Sequence, residues 1–99
     1  MKVIQANEFA RAVKKLPKQL KAELDEAVKA IMANPMLGDA KLADLAGIRV
    51  YRFKLPEFIE YVQLMLLGYE YDGETVTLYL LKLGSHENFY RDLKNSLSE

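Results

Sequence analysis

The chain of 99 residues has no cysteine, a single histidine, three prolines and five glycines. Without cysteine there is no disulfide framework and no thiolate nucleophile, which accords with a reducing compartment. One histidine among scattered carboxylates lacks the spacing of a ligand set, so no metal site is expected. There is no glycine-rich phosphate loop either, and the expectation is a protein without cofactors. No apolar run approaches the roughly 20 residues that cross a bilayer, and no stretch joins a charged start to a long apolar segment. A cytoplasmic protein with no membrane association is therefore expected. Repeats, low-complexity tracts and linkers are also missing, so residues 1–99 are read as one domain.

What is present is a core. Hydrophobic residues make up 51% of the chain, enough for one globular unit of this length. The formal net charge of zero hides an uneven distribution: residues 1–34 carry seven Lys or Arg against four Asp or Glu, whereas residues 57–81 carry five acids and no base. Such a chain is not a uniform coating for nucleic acid, but a local basic patch is compatible with it.

The periodicity changes once along the chain. Lys2 to Gln5 reads as a short strand. Asn7 can cap a helix in which Phe9, Val13 and Leu16 recur at helical spacing, and Pro17 separates it from a second helix with Leu20, Leu24, Val28 and Ile31 on one side. That helix should stop near Asn34, because the residue before Pro35 disfavours helical backbone. Residues 36–47 read as a connection with a helical turn through Lys41 to Leu45. From Ile48 the period becomes two: Ile48, Val50, Arg52 and Lys54 face one way, and Arg49, Tyr51, Phe53 and Leu55 the other. Pro56 ends that strand. Tyr61 to Tyr71 and Thr75 to Leu83 are strands with apolar residues on both faces, joined by a tight turn at Asp72-Gly73. One layer of helices covers one face of a sheet, so the second face needs a terminal helix, a partner or a groove.

The last strand gives way to Gly84-Ser85-His86-Glu87-Asn88-Phe89-Tyr90-Arg91-Asp92-Leu93. Ser85 suits a helix N-cap, which would place His86 in the first turn and Tyr90 four residues on along the same face. A helix start favours bound phosphate and a neutral imidazole, and a neutral imidazole beside phosphate can accept a proton. The same residues also suit a simpler role, with Phe89, Tyr90 and Leu93 packing a terminal helix and His86 in solvent. Likewise Arg49, Arg52 and Lys54 suit either phosphate contact or a charged strand edge that deters aggregation.

This order of elements, with Leu45-Ala46-Gly47-Ile48-Arg49-Val50-Tyr51-Arg52-Phe53-Lys54 and the ending from Gly84 to Leu93, resembles the RelE/ParE superfamily of bacterial type II toxin–antitoxin systems over almost the whole chain. The resemblance implies an α+β fold of βααβββ(α) order, in which a small antiparallel sheet packs on an N-terminal helical hairpin and carries a short C-terminal helix. Similarity to RelE-like members implies a metal-independent endoribonuclease that inhibits translation. It cuts messenger RNA in the ribosomal A site by attack of the ribose 2′-hydroxyl on the neighbouring phosphodiester. On this reading Arg52 and Lys54 hold phosphate, His86 is the general base or acid, and Tyr90 stacks on a base or hydrogen-bonds near the phosphate; Arg49 and Arg91 are further RNA contacts. Implied partners are a cognate antitoxin, the ribosome with its message, and operator DNA only through the antitoxin complex.

The sequence departs from that pattern in one place. RelE-like nucleases carry an arginine early on the central strand after an aromatic residue, whereas here Tyr61 is followed by Val62 and Gln63. A ParE-like inhibitor of DNA gyrase needs no such cation and is the alternative. A third reading is an antitoxin-binding module without toxicity.

Overall fold

The computed structural model describes residues 1–54, 64–85 and 89–97. Strand β1 (Lys2–Gln5) runs straight into helix α1 (Asn7–Lys14). The junction is Ala6, whose N–H donates to the Leu80 carbonyl at 2.9 Å while its own carbonyl accepts from Ala10 N–H at 3.0 Å. Ala6 thus takes the cap position, and Asn7, expected there, is the first helical residue. Pro17 precedes α2 (Lys18–Ala33) as its N-cap, at a φ of −57°. Its carbonyl accepts from Leu20 and Lys21 N–H. The helix ends at Asn34 in extended backbone before Pro35, as its sequence requires.

Three longer strands follow: β3 (Arg49–Lys54), β4 (Leu64–Asp72) and β5 (Thr77–Ser85), after a two-residue strand β2 (Asp39–Ala40) and a 3₁₀ turn at Ala43–Leu45. The sheet order is β1-β5-β4-β3-β2. The three long strands pair antiparallel, as expected, β2 adds an antiparallel rung where a connection was expected, and β1 joins β5 in parallel. A parallel partner needs a long crossover, and the two helices and the intervening strands supply it.

Each face of the sheet has its own apolar layer. Phe9, Leu24 and Ile31 from the helical hairpin meet Met65, Leu67, Tyr69, Leu78, Leu80 and Leu83 on one face. On the other, α3 (Phe89–Leu97) brings Phe89 and Leu93 onto Leu45, Ile48, Val50 and Leu66. The terminal helix is what covers the second face. It approaches closely because position 68 is glycine: a Cβ there would lie 3.3 Å from Phe89 Cζ and 3.4 Å from Leu93 Cδ2.

Leu80 and Leu83 share a face although they are three residues apart. Plain alternation forbids that. A bulge permits it: Gly68 pairs with Lys82 and Tyr69 with Leu80, so Leu81 has no opposite residue and turns to the α3 side. The β4–β5 connection also differs from the tight turn expected. It spans residues 73–76, and the left-handed residue is Val76, at a φ of 50°, with Gly73 outside that region. The Asp72 carboxylate sets the longer path by accepting from Glu74 N–H at 3.0 Å and Thr75 N–H at 3.4 Å. Ser85, expected as a helix cap, is the last residue of β5 and pairs with Met65. Leu55, Pro56, Tyr61, Val62, Gln63 and His86, for which the sequence predicts a strand end, the start of the central strand and a first-turn imidazole, lie outside the described residues.

Candidate functional site

Strand β3 sorts its cations by alternation. Val50 belongs to the α3-side layer, so Arg52 and Lys54, two and four residues on, face that way too, and both are exposed. Arg52 pairs across the sheet with Leu66, which pairs in turn with Gly84, and Lys54 pairs with Leu64. Leu64 packs on the same apolar layer as Tyr90. The structure therefore brings Arg52, Lys54 and Tyr90 to one face. Towards the end of that face β5 delivers Ser85 and α3 leaves from Phe89.

The Tyr90 ring is half-buried and meets Phe89 edge to face, with centroids 5.3 Å apart and planes at 89°. Phe89 is itself buried, which fixes the ring it supports. Over Tyr90 lies the ammonium of Lys41, 5.3 Å from the ring centroid. Such a cation–π contact is worth about 0.5–1 kcal/mol at an exposed site. Arg52 has a carboxylate partner instead, with Nη2 3.7 Å from Asp39 Oδ2. Both side chains are more than half exposed, at 52% and 65%, so the pair contributes about 1 kcal/mol at most. Lys94 of α3 likewise faces Asp44 at 3.3 Å.

Asp39 and Lys41 were not foreseen as site residues. They sit where no period is readable, yet β2 holds them in register: Asp39 opposes Val50, and Lys41 N–H donates to the Ile48 carbonyl at 3.0 Å. Two residues apart beside a strand, they point to the same face as Val50 and Arg52. The usable signal was the alternation Asp39-Ala40-Lys41, which is too short to stand out.

Arg49 lies on the opposite face. Its Nη1 donates to the carbonyls of Met36 at 3.1 Å and Gly38 at 2.8 Å. Beside it, paired across the ladder, is the fully buried Tyr69, whose hydroxyl donates to the Pro35 carbonyl and accepts from Gly38 N–H, each at 2.8 Å. Burial raises the Tyr69 pKa above its ordinary 10.0, against the smaller opposing effects of the Gly38 hydrogen bond and the Arg49 charge. Glycine is required at 38, because a Cβ there would stand 2.8 Å from Tyr69 Cε1. Arg49 and Tyr69 together clamp the turn that delivers β2. Arg91 is exposed on α3, with Nε 3.9 Å from its neighbour Asp92. Among the described residues no group of three or more His, Cys, Asp or Glu is placed to hold a metal ion, and no helix is long and apolar enough to cross a membrane.

The family model of the ParE-like toxin of type II bacterial toxin–antitoxin systems matches residues 3–94. The chain belongs to that family. The resemblance read from its sequence is thereby borne out. Among solved structures, free E. coli RelE carrying two arginine-to-alanine substitutions superposes on this ParE-like toxin with a TM-score of 0.70 at 16% identity, covering 97% of this chain and 96% of that one. The toxin–antitoxin complex RelBE of E. coli matches with a TM-score of 0.65 at 17% identity over 87% of this chain and 96% of that chain. The same RelE mutant bound to a peptide of its antitoxin gives 0.63 at 17%, over 92% and 90%. At these identities the likeness establishes the α+β fold. A search of curated protein sequences finds no match.

Proposed function

We propose that this ParE-like toxin inhibits translation by cutting messenger RNA on the ribosome. The observation that carries the reading is the convergence of Arg52, Lys54 and Tyr90 on the α3 face of the sheet. Cleavage requires a base to take the 2′-hydroxyl proton as the 2′-oxygen bonds to phosphorus, and an acid to protonate the 5′-oxygen as its bond to phosphorus breaks. Arg52 and Lys54 serve the charge that builds on the phosphoryl oxygens, Arg52 as a planar fork and Lys54 as a mobile point charge. Tyr90 offers its ring to a base. His86, the one imidazole of the chain, is the proposed proton carrier, and Arg91 is a peripheral contact. Arg49 remains with its turn. A cognate antitoxin is the proposed protein partner, as in the RelBE complex, with operator DNA reached only through it.

Inducible expression in a bacterium, followed by mapping of 5′ ends on cellular messages, tests this. Growth arrest with new ends inside translated codons is the expected result, and His86→Ala or Arg52→Ala should lower cleavage by about 100-fold or more. Toxicity unchanged in both variants, with intact message, would remove the nuclease reading.

One observation favours inhibition of DNA gyrase instead. Arg52 and Lys94 each face a carboxylate, so this face carries both signs, which suits a protein surface better than a polyanion. Loss of supercoiling activity in the presence of the purified chain, with message uncut, would establish that alternative.

A further inference from the structure

The sheet ends in two edge strands, and they are not equivalent. The β2 edge is two residues long and carries Asp39 beside Arg52, charges of the kind that deter pairing with another strand. The β1 edge is longer, all four of its residues are exposed, and Lys2 is its only charged side chain. Val3 and Ile4 are each 37% exposed. In the parallel ladder with β5 alternate residues of β1 are engaged: Lys2 N–H donates to the Val76 carbonyl at 3.1 Å and Ala6 N–H to the Leu80 carbonyl at 2.9 Å. Val3 and Gln5 therefore turn their N–H and C=O groups outward, and among the described residues no strand takes them. Their side chains open onto a groove between β1 and the helical hairpin, floored by the buried Phe9, Leu24 and Leu80 and rimmed by the exposed Asp25 and Lys29 of α2.

We propose that this edge docks a second copy of the same chain, β1 against β1, in a two-fold dimer with one continuous sheet. An antiparallel pairing about an axis at Ile4 sets Val3 opposite Gln5 of the second copy. Each such pair exchanges two hydrogen bonds, so the outward N–H and C=O groups of both copies are all satisfied. The same axis passes α2 between residues 25 and 29, which line the groove beside Val3 and Gln5, and brings Asp25 of each copy opposite Lys29 of the other. Opposite charges one helical turn apart are complementary to themselves under a two-fold, which is what selects a second copy over a foreign strand. Lys29 is free to turn, since its own-helix partner Glu26 lies 3.6 Å away in solvent, a contact of little strength. Strand β3, with Arg52 and Lys54, is separated from β1 by β5 and β4, so the dimer leaves both of those faces open and stands apart from any reading of the target.

The test is sedimentation equilibrium of the purified whole chain from about 1 µM to about 1 mM, with circular dichroism to follow the folding of each variant. The wild-type chain should reach twice the monomer mass, with a dissociation constant in the micromolar range. Gln5→Pro removes an outward N–H and no bond to β5, and should raise that constant about 10- to 100-fold. Asp25→Lys and Lys29→Asp set like charges opposite each other and should each weaken the dimer about tenfold, while an equimolar mixture of the two variants should associate as a heterodimer with wild-type strength. These two substitutions lie on an exposed helix face, so they decide the matter whatever Gln5→Pro does to folding. A wild-type chain that stays monomeric over the whole range would leave the edge to a strand of another protein and overturns the proposal. A dimer that both charge reversals leave unchanged is built on another surface and overturns it equally.

Discussion

Tyr69 is the side chain whose chemistry is most tightly specified. Its hydroxyl joins the end of α2 to the start of β2 through Pro35 and Gly38, inside a shell that excludes water. Tyr69→Phe leaves the buried Gly38 N–H without an acceptor and should cost about 1–3 kcal/mol in urea-induced unfolding. The pH dependence has a definite sign. The folded-state pKa is raised, so the neutral phenol's contribution is fully present below pH 10.0 and is lost as pH rises through the higher folded value. Wild-type stability should therefore fall more steeply than that of Tyr69→Phe above pH 10.0, in parallel unfolding series. At Asp39 the expected effect is on binding. Asp39→Asn removes the anion that faces Arg52, so stability should change by less than about 1 kcal/mol. On the nuclease reading, KM for message should fall severalfold. The sequence made Arg52 and Lys54 legible as a pair because a six-residue strand has a readable period. Asp39 and Lys41 escaped because two residues have none. The sequence also left open which donors of Arg49 would be occupied, since the two carbonyls it serves belong to a turn without pattern.

Among the elements, β5 and α3 carry the most information. The bulge at Leu81 puts both Leu80 and Leu83 against the helical hairpin, which a run of apolar residues concealed from any alternation count. Deleting one residue of the Leu80–Leu81 pair should give a spacing of two that keeps the partner leucines inward. The shortened chain should fold, with a loss of about 1–3 kcal/mol for the missing side chain. Deleting Leu67 from β4, where no residue is spare, should prevent folding, because half of that strand would turn its apolar set outward. Circular dichroism and urea midpoints distinguish the two. Helix α3 depends on Phe89, Leu93 and the bare backbone at Gly68. Leu93→Ala should cost about 2–5 kcal/mol, and Gly68→Val should strip hydrogen-exchange protection from 89–97 while β4 and β5 retain theirs. The amphipathic α2 and the strand-to-helix order were legible because packing against a sheet imposes the period they show. The parallel seating of β1 was not, since four residues do not encode the direction of their neighbour.

At the scale of the molecule, a five-stranded mixed sheet separates two apolar layers, and only the α3 layer is bordered by Arg52, Lys54 and Tyr90. The other layer is closed by the helical hairpin, while Lys82 of β5 stands on the α3 side opposite Gly68 and reaches Glu8 of α1 at 3.5 Å. Membership of the ParE-like toxins accounts for this division of labour in fold but leaves the target to be read from side chains. The two-residue strand at Asp39–Ala40 sets a further condition on that face. An acid for Arg52 and a base for Tyr90 hang from the same short rung, so a slip of one register position would rotate both to the underside together. Loss or gain of a single residue between Pro35 and Ala40 would thus silence two contacts at once, with every residue that makes them still present.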